Sequence, residues 1–133
     1  MEAHTLRLLP IPLAVCQLPT DSDAAPSLAA FGEEFAALIR TDDELTVVCP
    51  ETQAPPGAKV ETGWRAFKVE AQFALTTVVG VVAALSEPIA AAGISVFVIS
   101  TWQTDYLLVQ ADRVKAASAA LEAAGHNVIT DRQ

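Results

Sequence analysis

The sequence predicts an α+β chain whose second half is a ferredoxin-like βαββαβ sandwich, and three observations carry that reading. From Trp64 to Thr130 the apolar segments run strand, helix, strand, strand, helix, strand. Two helix-like stretches end at glycines, Gly93 and Gly125. The apolar residues, 52% of the chain, are mostly alanine, valine and leucine, as expected where helices pack on a sheet. At 133 residues there is room for one ordinary domain or two very small ones. The pattern divides it into a smaller half, 1–62, and the sandwich, 63–133.

In the first half, "LRLLPIPLAVCQLP" is aliphatic but broken by Pro10, Pro12 and Pro19, so the regular strand is expected at Leu13–Leu18. After the polar "TDSDAAPS", Leu28, Phe31, Phe35 and Leu38 recur at helical spacing, with Ser27 as a cap and Gly32 as a weak point. Leu45 to Cys49 reads as a second strand ended by Pro50, and "TQAPPGAKVETG" reads as a connector. This β-α-β order is short enough to be a truncated copy of the second half, without a residue-level repeat to prove it.

In the second half, Trp64 to Glu70 alternates imperfectly as a strand. "TTVVGVVAALSEPIAAAG" offers Thr76 or Thr77 as caps, an apolar face including Val78, Val81, Val82, Leu85 and Ile89, and Gly93 as a stop. Its spacing runs through Pro88, which predicts one helix kinked near Ala84 rather than two. "SVFVIS" and "DYLLVQ" form a hairpin; "ADRVKAASAALEAAG" is a helix with Asp112 as cap; "HNVIT" is the last strand.

The expected strand order, last-first-third-second, sets the start of the third strand, near Asp105, beside the end of the first, near Glu70 to Gln72. The polar turn Ser100 to Thr104 then shares a sheet edge with the start of the first helix. Uncapped N–H groups there suit a carboxylate, Gly80 allows close approach, and Asp105 is a counter-charge for an ammonium. Thr101 and Thr104 add hydroxyls, and Val78, Val81, Val82, Val96 and Val98 an aliphatic wall. Competing with this, Asp105 can serve simply as a turn cap, the threonines as ordinary strand residues and Gly80 as a packing contact.

Eight basic against sixteen acidic residues disfavour binding to nucleic acid or to anionic membrane surfaces. No apolar run is long enough for a membrane span, and the apolar 6–15 stretch lacks a basic leader, so a cytoplasmic protein is expected. Cys16 and Cys49 show no CxxC spacing and read as buried reduced thiols. Neither thiol has a cationic neighbour, and His4 and His126 show no ligand spacing with them. The expectation is no enzyme, no metal and no cofactor.

Residues 63–125 resemble the ACT domains of a bacterial family related to the ACT modules of the eukaryotic cytosolic arginine sensor. "GISVFVISTWQTDYLLV", with Ser100, Thr101, Thr104, Asp105 and Tyr106, is the most specific match; "GVVAALSEPIA" supports it, and "DDELTVVCPE" extends it less distinctively. The resemblance implies a regulatory amino-acid sensor whose ligand sits between ACT domains packed side by side, held by Gly80, Val81, Val82, Ser95, Val96 and Asp105. Ser95 would reach a neighbouring subunit's site through pairing of second strands, making the protein a homodimer that acts on a separate regulated protein. The aliphatic wall suits a small or apolar amino acid at least as well as arginine. The alternative is an interaction scaffold that uses the same edge and binds no small molecule.

Overall fold

The computed structural model describes residues 3–20, 28–32, 35–70 and 79–130. The chain divides into two compact units, one formed by residues 1–10 with 65–133 and the other by residues 11–64.

The larger unit contains β1 (Thr5–Leu8), the end of β5 (Lys59–Val69), α1 (Val81–Ala91), β6 (Phe97–Ser100), β7 (Asp105–Gln110), α2 (Val114–Ala123) and β8 (Asn127–Thr130). Its strands lie in the order β8-β1-β5-β7-β6. The expected sandwich is present with one strand added: β1 runs parallel to β8 and antiparallel to β5, separating the last strand from the first. The "LRLL" stretch looks too short for a strand, but both its edges are satisfied by neighbours, and Pro10, which has no N–H, follows its end.

Alternation sets the core. Leu6 and Leu8 of β1, Phe67 and Val69 of β5, and Leu107 and Val109 of β7 share one cluster with Val81, Leu85 and Ile89 of α1 and Ala117 and Leu121 of α2. Strand residues two apart meet helix residues four apart, so both helices cover one sheet face. Burying each large aliphatic side chain contributes about 1.5–3 kcal/mol.

Both helices stop as the glycines predict. Gly93 (φ +78°) and Gly125 (φ +99°) are left-handed, and the N–H groups of Ile94 and His126 return to the carbonyls of Ile89 and Leu121 at 3.2 and 3.0 Å. α1 runs through Pro88 as a single helix. The starts differ from expectation. Gly80 occupies the N-cap of α1, and the proposed caps Thr76 and Thr77, like Val78, lie outside the described residues. Asp112 falls in a 3-10 turn, Ala111–Arg113, and α2 begins with Arg113 at its N-cap and no side-chain cap bond.

The smaller unit contains β2 (Leu13–Leu18), a 3-10 turn at Leu28–Phe31, β3 (Ala37–Arg40), β4 (Leu45–Pro50), a second 3-10 turn at Glu51–Gln53 and the start of β5. The order is β3-β4-β2-β5, antiparallel throughout. The helix expected over 27–38 is replaced by the turn and by β3. Gly32 adopts φ +64°, which ends any helix, and "ALIR" is taken into the sheet by pairing with β4. The supposed connector holds the start of β5, recruited by pairing with Gln17, Cys16 and Val15 of β2.

Candidate functional site

The polar turn of the β6–β7 hairpin is closed by its own side chains. Ser100 and Asp105 are paired at the end of β6 and the start of β7, and the Ser100 hydroxyl donates to Asp105 Oδ1 at 2.6 Å. One rung further out, the Thr101 N–H donates to the Thr104 carbonyl at 2.8 Å. Thr101 Oγ donates to the same carbonyl at 3.0 Å and accepts from the Thr104 N–H at 3.3 Å. The threonine side chain thus stands in for a backbone carbonyl, and no Gly or Asn is needed. Trp102 is left at the tip, 78% exposed.

Thr104 is buried, and its hydroxyl donates to the Val69 carbonyl at 2.7 Å. That bond ties the start of β7 to the end of β5, the neighbourhood expected from the strand order. Asp105 is also buried. Of the hydroxyls read as ligand contacts, Thr104 serves β5 and Thr101 serves the turn.

At the start of α1, Gly80 is exposed, has φ +81°, and a Cβ there would meet no atom within 4 Å. As the N-cap, Gly80 brings no side chain to the first N–H groups of α1, and its carbonyl accepts the first helical bond, from Ala84 at 2.9 Å. Val81 points into the core and Val82 is half-buried. Ser95 is exposed and Val96 packs against the core; both precede β6, which begins at Phe97. Val98 likewise packs on the core, so much of the aliphatic wall read from sequence serves the larger unit's own packing.

Cys16 and Cys49 are free, buried thiols on neighbouring strands. Their positions are diagonal on one face, since Cys16 is opposite Val47, two residues from Cys49. Burial pushes the Cys49 thiol up to about 12, helped by the adjacent Cys16, and also raises Cys16. Among the described residues no group of three or more His, Cys, Asp or Glu is placed to hold a metal, and no helix is long and apolar enough to cross a membrane.

Sequence reasoning missed a cavity of about 300 Å³ in the smaller unit, lined by Gln17, Leu18, Pro19, Asp43, Gly57 and Lys59. Three separate segments supply these residues, and no local motif marks them.

Residues 59–123 match the family model of the ACT domain, and residues 12–56 match that of an N-terminal domain. A protein of known structure from Agobacterium tumefaciens is 30% identical at a TM-score of 0.88, with 100% of this chain and 97% of that one covered. The chain belongs to one family with that protein, and it carries an ACT domain over residues 59–123. Two further structures share the fold alone. A Vibrio cholerae protein of unknown function, described as a possible transport protein, is 21% identical (TM-score 0.66; 92% and 90% covered). The ligand-free regulatory subunit of aspartate kinase from Thermus thermophilus is 15% identical (TM-score 0.60; 93% and 99% covered). No curated protein matches the chain.

Proposed function

We propose that the protein is a regulatory amino-acid sensor with no catalytic activity of its own, working in the cytoplasm on a separate target. The ligand sits between ACT domains of two subunits, and binding stabilises one pairing of them. The kinship with the arginine-sensor modules belongs to this proposal, with a small or apolar amino acid fitting the half-buried valines at least as well as arginine.

The observation that carries the reading is the start of α1 at the exposed Gly80, an N-cap with no side chain of its own and open space where a Cβ would be, which suits a carboxylate within an ACT domain. Val81 and Val82 follow it in the first turn. Asp105 serves the ammonium with the carboxylate oxygen that Ser100 does not occupy, and Thr101 and Thr104 hold the turn that aims it. Ser95 and Val96 supply the neighbouring subunit's share.

A thermal-shift panel of the twenty amino acids tests this: a ligand at a hundred times its Kd adds about 2.7 kcal/mol. A flat panel on protein freed of co-purified ligand by unfolding and refolding overturns the sensor. The scaffold alternative draws on β6, which among the described residues pairs with β7 alone. A dimer that persists with a flat panel selects it.

A further inference from the structure

The two units are built on one plan. In the larger unit the β6–β7 hairpin is followed across the sheet by β5 and then β1; in the smaller, the β3–β4 hairpin is followed by β2 and then β5. Both hairpins close with the same device. The Thr41 N–H donates to the Glu44 carbonyl at 2.9 Å and Thr41 Oγ accepts from the Glu44 N–H at 3.1 Å, as Thr101 does with Thr104. In each, the last turn residue reaches the next strand: Thr104 bonds Val69 of β5 at 2.7 Å, and Glu44 accepts from Gln17 of β2 at 3.2 Å.

This correspondence locates the cavity of the smaller unit. It lies at the end of β2, at the β3–β4 turn and at the start of β5, the place that in the larger unit is the end of β5 beside the Ser100–Asp105 turn. Leu18, 3% exposed, gives it an apolar floor. Lys59 and Asp43 set one ammonium and one carboxylate on its lining, and among the described residues neither is in an ion pair. Gly57, at φ +82°, turns open backbone to it: a Cβ there would meet nothing within 4 Å. Gln17 is held by Glu44 through its amide N–H, which leaves its carbonyl oxygen to accept.

We propose that this cavity is a second small-molecule site, contained within the smaller unit, for a compact zwitterion of the α-amino-acid class. Lys59 receives the carboxylate, and Asp43 with the Gln17 carbonyl receives the ammonium. One charge of each sign selects against plain anions and plain cations, because either would meet a like charge on the lining. A volume of about 300 Å³ is at the lower limit of ligand pockets, which favours a small metabolite over a peptide or nucleotide.

The test is an amide-resolved NMR titration of the full chain with each of the twenty amino acids, and with the amine and carboxylic acid that lack one of the two charges. At least one amino acid is expected to move the amides of Leu18, Gly57 and Lys59, with affinity falling about tenfold in Lys59→Met and in Asp43→Asn. Both changed side chains are exposed, and unshifted amides elsewhere report that the fold is kept. The proposal is overturned if none of the twenty moves those amides, or if the singly charged analogues bind as well as the zwitterion. Shifts confined to Gly80, Ser95 and Asp105 would remove this second site while leaving the inter-subunit sensor intact; shifts confined to the cavity would do the reverse.

Discussion

Ser100 and Asp105 face each other at the last rung of the β6–β7 pair, joined by a 2.6 Å bond from the serine hydroxyl to the carboxylate. The acid therefore has a structural role before any ligand arrives, and the two roles separate by substitution. Ser100→Ala removes the donor at an exposed position and is expected to cost about 1 kcal/mol in urea denaturation, with faster amide exchange at Thr101. Asp105→Asn keeps an oxygen acceptor for Ser100 and loses only the charge on it, so the cost should be about 1 kcal/mol and the fold should be kept. If Asp105 holds a ligand ammonium, the same variant loses the amino-acid thermal shift; an unchanged shift leaves Asp105 as a turn residue only.

Thr104 offers a sharper contrast. Its hydroxyl is buried on the Val69 carbonyl, so Thr104→Val keeps the shape and leaves that carbonyl without its side-chain donor. A loss of about 1–3 kcal/mol is expected in denaturant unfolding, whereas Thr104→Ser retains the bond and most of the stability. Equal losses in the two variants would mean that methyl packing, and not the hydrogen bond, holds the strand.

These two residues show how far the sequence can be read. The hairpin, both helices and the strands β2, β4 and β8 are legible because period-two and period-four patterns end at Gly or Pro. β1 is not: four residues beside two prolines carry little pattern, and pairing with β5 and β8 makes them a strand. The 27–38 segment misleads because Leu28, Phe31, Phe35 and Leu38 imitate a helical stripe, while Gly32 and pairing with β4 decide otherwise. The Thr104 hydroxyl looks available in the sequence because its acceptor, the Val69 carbonyl, is 35 residues away. Gln17, Asp43 and Lys59 converge only once β2, the β3–β4 turn and β5 are placed.

The helix stops supply a test that depends on backbone alone. At Gly125, φ is +99° and a Cβ would meet no atom within 4 Å, so Gly125→Ala introduces conformational strain without a clash. The expected loss is about 1–2 kcal/mol. The His126 N–H bond to the Leu121 carbonyl should exchange faster in the variant, since the left-handed residue creates that geometry. A stability equal to the parent's would show that the last turn of α2 unwinds at no cost.

The buried cysteine pair makes the last prediction, and its sign follows from proton linkage. The Cys49 thiol is pushed up to about 12 from an ordinary 9.0, chiefly by burial, so across that interval the folded chain keeps a proton that the unfolded chain has released. Stability from this group is complete below about 9 and is lost as pH climbs toward 12. Urea midpoints should fall between pH 9 and 11, and Cys49→Ala should flatten that fall while lowering stability at neutral pH. In the native protein at pH 8, both thiols should resist an aromatic disulfide reagent that labels them once unfolded, because each is almost fully buried and protonated. Rapid labelling of Cys49 in the folded chain would show that the β2–β4 core opens far more readily than its packing implies.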